Sequence, residues 1–401
     1  MIALDDVKRA TTRLAGRILR TPLIFSPSFS KMSGAEVYLK LENLQETGSF
    51  KLRGATNKIQ AMLPQLRGAG VVAASAGNHA QGVALAARRA GLPSTIVMPE
   101  WASITKQQAT AGYGGRVVLE GLSIEDCIQR AKSLAAEGMH FIHPYDDLEI
   151  IAGQGTIGLE ISEDLPDAEM VVVPIGGGGL IAGVALAIKA LRPQTEIIGV
   201  QAAACPSAIR ALDLGHTVRV EAERSLADGI TVKQLGEAPF AIIRRLVDYI
   251  VLVEEDEIAT AILALIERKR ILAEGAGAAA IAALMHRLGD RAAGKKVVLL
   301  VSGGNVDSPL LDRVIRQGLF RTGRYLRFGV TLPDIPGSLH KMLGTVAALK
   351  ANVLHIHHDR SGGHLPIHLT RVMLEVETRG HGHMQEVLDA LNKAGYEVQV
   401  Q

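Results

Sequence analysis

Lys51 stands between Phe50 and Leu52, just after a Gly-Ser turn, in the run ENLQETGSFKLRGA at residues 42–55. Apolar flanks desolvate an amine, lower its proton affinity and favour imine formation with a carbonyl, which makes Lys51 a candidate to hold an aldehyde cofactor. A lysine at a helix start is ordinarily solvated, so its neighbours must decide. SAGNHAQG at 75–82 falls between a strand end and a helix start, where free backbone N–H groups and the helix dipole attract anions. Ser75, Ala76, Gly77 and His79 are therefore candidates to dock a substrate carboxylate, and Asn78 to hydrogen-bond a ring hydroxyl; the competing reading is an ordinary Ser/Asn cap. In PIGGGGLIA at 174–182, Gly176, Gly177, Gly178 and Gly179 leave consecutive N–H groups unobstructed, and with Leu180 at the helix start they form a cradle for a phosphate. The same run matches GxGxxA through Gly177, Gly179 and Ala182, a dinucleotide-binding turn, yet the position after Gly199-Val200, where a ribose-binding acid is expected, is Gln201. VSGGNV at 301–306 closes a strong apolar strand, so Ser302 would present its hydroxyl in the crevice at the strand ends, where it suits a neutral pyridine nitrogen.

The elements that must position these residues alternate. Leu4, Val7, Leu14 and Ala15 have helical spacing within 4–16, and VYLKL at 37–41 reads as a strand. Val71–Ala74, Thr95–Met98, Arg116–Leu119, Met170–Pro174, Glu196–Val200 and Val297–Ser302 are short apolar runs, each followed by a turn signal and a helical pattern, as at Val83–Ala90. Short buried strands with intervening helices imply open, doubly wound α/β sheets. Near residue 324 the pattern changes: strand 325–332, a helix from DIPGS at 334–338, strands 353–358 and 369–377, a helix at about 383–394 and a strand at 396–400. That is a βαββαβ order. Gly318–Arg324, rich in glycine and arginine, reads as the linker.

The 401 residues exceed what one core serves, and with 48% hydrophobic but 3% aromatic residues the interior must be aliphatic. Lys plus Arg number 43 against 41 Asp plus Glu, with no run of one sign, so no nucleic-acid partner is expected. Cys127 and Cys205, far apart, provide neither a disulfide framework nor metal-ligand spacing. Asp5 and Asp6 interrupt the place where an export signal needs its apolar core, and Pro174 with four glycines breaks the uncharged stretch 170–188, so a cytoplasmic protein without a membrane span is expected.

Together, TPL at 21–23, SFKLRGA at 49–55, ASAGNHAQG at 74–82, IAGQGT at 151–156, the glycine loop and SGGNV at 302–306 resemble the fold type II pyridoxal-phosphate enzymes, and within them the threonine dehydratases, or threonine ammonia-lyases. The resemblance implies a tryptophan synthase β-like catalytic region over 1–320, with a small subdomain at about 45–145 inserted between 1–44 and 146–320. It implies Lys51 as the Schiff-base lysine, Phe50 behind the ring of pyridoxal 5'-phosphate, Asn78 at the 3-hydroxyl, Gly176–Gly179 and Leu180 at the phosphate, Glu274 beside the ring and Ser302 at the pyridine nitrogen. Tyr145 and the SAGNH loop would border the substrate side chain. L-threonine would lose its α-proton to Lys51 and then its β-hydroxyl, yielding 2-oxobutanoate and ammonia. Similar serine racemases carry a second serine where this chain has Ala76, so racemisation is expected to be poor. They also use a glutamate towards a divalent cation where this chain has Gln201, so no required metal is expected.

Residues 325–401 resemble an ACT domain, a ferredoxin-like amino-acid sensor, which implies control by isoleucine or valine and a homodimer or homotetramer. His355, His357, His358, His364 and His368 crowd it, though exposed strand histidines are commoner than a metal site. Two other readings stand beside this one: a dehydratase of L-serine or 3-hydroxyaspartate on the same apparatus, and a non-catalytic amino-acid sensor.

Overall fold

The computed structural model describes residues 2–66, 69–360 and 365–400. The chain forms two compact units, Met1–Asp307 and Ser308–Gln401.

The first unit is built on two sheets. A six-stranded sheet runs in the order Leu23–Phe25, Glu36–Leu41, Lys296–Val301, Met170–Pro174, Glu196–Ala202 and Tyr249–Val253. All neighbours pair in parallel except the edge strand Leu23–Phe25. Its central strands, VVVP and VVLLV, are buried along their length because helices cover both faces of a parallel sheet. A four-stranded parallel sheet, ordered Gly115–Leu119, Ser94–Met98, Val71–Ala74 and His140–Phe141, is formed by the chain between strands Glu36–Leu41 and Met170–Pro174 of the large sheet. The helix expected at 83–90 begins earlier, at Asn78, so Asn78 and His79 occupy its first turn rather than the preceding loop. Gly82 permits this, since a Cβ there would lie 3.1 Å from the Lys51 carbonyl carbon.

A buried charge network joins the segments around Lys51. Arg53, with no exposed surface, donates from Nε and Nη2 to Glu42 at 2.9 and 2.8 Å and from Nη1 and Nη2 to Glu160 at 2.6 and 2.9 Å. Nη1 also reaches Thr156 Oγ1 at 3.1 Å, and buried Lys40 donates to Glu160 at 2.6 Å and to the Thr21 carbonyl at 2.7 Å. Burial disfavours the guanidinium charge, but the carboxylates of Glu42 and Glu160 override it and hold Arg53 protonated beyond its usual range. Thr21, Arg53 and Thr156 thus account for three of the sequence motifs as structure. Glycines explain more of IAGQGT: Gly153 lies so close to Gly54 that a Cβ would meet its Cα at 2.7 Å, and Gly183 would meet the Ile151 carbonyl at 2.3 Å. The helices Lys51–Leu66, Leu148–Asp164 and Gly179–Leu191 therefore pack backbone to backbone.

In the second unit, an antiparallel sheet runs Asn352–Asp359, Leu369–Glu377, Tyr325–Pro333 and Val398–Val400, with helices Ser338–Ala348 and His381–Lys393. The βαββαβ order matches the expectation. Leu326, Phe328, Val330, Val372, Leu374 and Val376 alternate inward onto Met342, Val346, Val387 and Leu391. Gly318–Arg324 is not a linker: helix Ser308–Arg321 continues through Gly318, because Val314 and Gly318 are buried and the apolar spacing outweighs the glycine. His355, His357, His358 and His368 are exposed, and His364 lies outside the described residues.

Arg53→Met takes the guanidinium from the fully buried Glu42 carboxylate and leaves Glu160 with Lys40 alone, so it should lower stability by about 3–5 kcal/mol. The expected reading is a lower denaturant midpoint at unchanged slope, and a wild-type midpoint would contradict the network's role.

Candidate active site

Lys51 begins its helix directly against the end of strand Lys296–Val301. The Phe50 amide donates to the Ser302 carbonyl at 3.1 Å, and Ser49 bridges to Gly303 in antiparallel fashion. The Lys51 amine lies 5.2 Å from the Phe50 ring centroid and donates to the Pro144 carbonyl at 3.0 Å. Burial pushes its pKa down to about 8, while the Glu274 carboxyl pulls the other way.

Facing it, Asn78 Nδ2 donates to Glu274 Oε1 at 2.7 Å, and Asn78 Oδ1 accepts from Asn305 Nδ2 at 2.8 Å. Glu274 caps the Gly275–Ala283 helix and is 6% exposed; burial, with the nearby Asp228 charge, pushes its pKa up to about 8. Gly303 admits it, since a Cβ there would lie 2.4 Å from Glu274 Oε1. Ser302 is buried and its hydroxyl donates to the Ala276 carbonyl at 3.3 Å. Hence Lys51, Phe50, Asn78, Glu274 and Ser302 come together at the C-terminal ends of the parallel strands, where ligands of such sheets bind.

The glycine loop joins them through Tyr145. Gly178, at φ +92°, ends the loop as the N-cap of the Gly179–Leu191 helix, which begins with buried Leu180. A Cβ on Gly177 would fall 2.3 Å from the Tyr145 ring, and one on Gly179 would meet the Tyr145 carbonyl at 2.8 Å. Tyr145, whose phenol burial pushes up, therefore lies on the glycine loop, one residue from the Pro144 carbonyl that holds Lys51. Gly176 backs onto Ile230, in the turn Asp228–Ile230 that also flanks Glu274.

In the SAGNH loop, Ser75, Ala76 and Gly77 are half-buried, and Ser75 Oγ accepts from the Gly77 amide at 3.2 Å. His79 is buried with Nε2 on the Ile142 carbonyl at 2.9 Å; burial, then the Lys51 charge, pushes its pKa down to about 3 and keeps it neutral. Its ring braces the helix start against residue 142. Gln201 spends its amide on Ser207 Oγ and the Ala208 N–H, at 3.3 and 2.9 Å. Among the described residues no cluster of three His, Cys, Asp or Glu is placed to hold a metal ion, and no helix is long and apolar enough to cross a membrane.

Sequence reasoning passed over four residues here. Asn305 lies in SGGNV, where nothing in the local sequence gives its side chain a partner. Lys106 bridges to Asp228 at 3.2 Å across the cleft, from the small sheet's side, and nothing local in the sequence marks two residues 122 positions apart. Ser49 Oγ, just before Lys51, is buried with no partner among the described residues.

Comparison with known proteins finds the pyridoxal-phosphate dependent enzyme family over residues 14–303 and an ACT domain over 326–395. The chain is 48% identical to the L-threonine ammonia-lyase of Thermotoga maritima and 49% identical to that of Geobacter sulfurreducens, each over the full length of both chains. Among solved structures, a threonine deaminase of T.th. is 40% identical with a TM-score of 0.72, covering 76% of this chain and 99% of its own.

With its folded value depressed to about 8 against 10.5 in the free side chain, Lys51 opposes folding when it must ionise below about pH 8 and has no effect above 10.5. Lys51→Met should therefore stabilise the cofactor-free protein at pH 7, by an amount that vanishes as pH rises between those two values. Thermal unfolding across the range reads the difference, and an offset independent of pH would contradict it.

Proposed function

Because the chain belongs to the pyridoxal-phosphate-dependent enzymes and ends in an ACT domain, we propose that it dehydrates and deaminates L-threonine to 2-oxobutanoate and ammonia, with the β-hydroxyl lost as water and a water returned on release of ammonia. The observation that carries this reading is a desolvated amine at Lys51, with its proton affinity lowered to about 8, facing a glycine cradle, Asn78, Glu274 and Ser302. Those features fit the cofactor: an amine ready to attack a carbonyl, unobstructed loop amides for a phosphate, and a neutral hydroxyl for a ring nitrogen. When bound, pyridoxal phosphate supplies the carbonyl that Lys51 condenses with and a ring that takes up the electron pair left at the substrate α-carbon.

The chain's own residues do the rest. Lys51 Nζ takes the α-proton, and an amine titrating near 8 both accepts and returns it close to neutral pH. The segment Ser75, Ala76, Gly77 and His79 docks the substrate carboxylate at the start of the Asn78–Arg89 helix, with the Ala76 amide and the helix dipole as the attraction, since the Ser75 amide is spent on the Val97 carbonyl and the Gly77 amide on Ser75 Oγ. Gly176–Gly179 and Leu180 hold the phosphate, Phe50 backs the ring and Asn78 donates to its hydroxyl oxygen. Ser302, unlike an aspartate, does not hold the ring nitrogen protonated, which favours prompt β-elimination. Tyr145, lying on the glycine loop, borders the substrate side chain. L-serine, one methyl smaller, is a second substrate, since a methyl is worth only ~1–3 kcal/mol of discrimination. The enzyme works in the cytoplasm as a homodimer or homotetramer, and isoleucine or valine binds the ACT domain to adjust its activity.

Lys51→Ala should abolish 2-oxobutanoate release from threonine and remove the visible absorbance that borohydride bleaches in the wild-type holoprotein; turnover near wild type would refute the role of Lys51. Isoleucine or valine should shift the threonine half-saturation of the full-length enzyme several-fold, and a response to neither leaves the ACT domain an assembly role.

A further inference from the structure

Asn305 is the most connected polar side chain in the site to which the mechanism gives no task. Its Nδ2 donates to the Thr47 carbonyl at 2.7 Å and to Asn78 Oδ1 at 2.8 Å, while Asn78 Nδ2 donates to Glu274 Oε1 at 2.7 Å. A backbone carbonyl only accepts, so the Asn305 atom that faces Thr47 must be its NH2 group. It follows that the Asn78 atom facing Asn305 is the oxygen, and that the atom facing Glu274 is the nitrogen. Each amide orientation in the chain derives from one unambiguous acceptor.

Asn305 has no freedom to turn. Gly48, in the left-handed region at φ +72°, presses its backbone so close that a Cβ would lie 2.3 Å from Asn305 Oδ1. The Gly304 amide also donates to the Gly48 carbonyl at 2.9 Å, which ties the SGGNV loop to the segment preceding Lys51. Turning Asn78 over would set its NH2 against the NH2 of Asn305, two donors facing across a half-buried contact. With Asn78 held, one of its amide hydrogens goes to Glu274 and the second stays free for an acceptor in the cleft.

We propose that Asn305 is a positioning residue, which through Asn78 fixes the direction of the one amide hydrogen presented to the cofactor's ring oxygen. This rests on the cofactor reading above. It assigns SGGNV two functions: Ser302 would serve the ring nitrogen directly, and Asn305, three residues on, would serve the ring oxygen through a second side chain.

The test compares Asn305→Asp with Asn305→Ala in the holoprotein. Aspartate has nearly the same shape but accepts where asparagine donates, so it turns both contacts, to Thr47 and to Asn78, into repulsions. Alanine merely releases Asn78. The expected order is therefore wild type, Ala, Asp, with kcat lowered about tenfold or more in Asp and KM within about threefold. The visible circular dichroism of the bound cofactor, which reports ring orientation without turnover, should weaken in the same order. A role in packing alone predicts the reverse, with the isosteric Asp milder than Ala, and that order or two unchanged spectra would overturn the proposal. If Asp blocks cofactor loading, Asn305→Ala in an Asn78→Ala background decides: less than a twofold further loss supports action through Asn78, and an additive loss overturns it. Borohydride labelling of Lys51 in the wild type separates this proposal from the reading it rests on. Absence of label there refutes the cofactor reading itself, whereas a labelled wild type with an unaffected Asp variant refutes only the role of Asn305.

Discussion

The arrangement around Lys51 depends on burying a guanidinium two residues after it. Arg53 is shared between Glu42 and Glu160, and Lys40 adds a second cation to Glu160, so two positive and two negative groups balance in the interior. Each of these charges alone would be expensive to remove from water, and together they are tolerable only in one geometry. That geometry ties together the strand Glu36–Leu41 with the adjoining Glu42, the first turn of the Lys51 helix and the Leu148–Asp164 helix at Glu160. The backbone of Lys51 is therefore set by charges it never touches.

With the backbone so fixed, burial does the chemical tuning. Lys51 is pushed down and Glu274 pushed up by the same loss of water, and His79 is kept neutral beside them. An amine and a carboxyl that both titrate near 8 place two proton carriers close to physiological pH, where proton transfer needs them. Polar side chains then set direction. Asn305, Asn78 and Glu274 make one continuous hydrogen-bonded chain along one wall, while Ser302 occupies another. Glycines make these approaches feasible, most clearly at Gly303 beside Glu274 and Gly177 beneath Tyr145.

Much of this was readable in the chain itself. Parallel strands buried on both faces must be continuous aliphatic runs, so VVVP and VVLLV announced themselves, and alternation with a change of element order announced the ACT domain. The elements that eluded a local reading were those whose signal a neighbour overrides. Gly318 resembled a linker until Val314 and its own burial drew it into a helix. The helix at Asn78 looked shorter because its first turn is made of loop-forming residues, held there by contact with the Lys51 backbone.

By itself the sequence determined which residue types exist to do chemistry and the order in which strands deliver them, because local spacing encodes strand, turn and helix start. That was enough to single out Lys51, Asn78, the glycine loop and Ser302. Only the tertiary structure decided what each side chain spends its hydrogen bonds on. It put Tyr145 on the glycine loop, gave His79 to Ile142, paired Lys106 with Asp228 and made Asn305 the partner of Asn78. These are contacts between residues tens to hundreds of positions apart, and the free energy that selects them comes from shared desolvation, a property of the assembled interior and of no single segment.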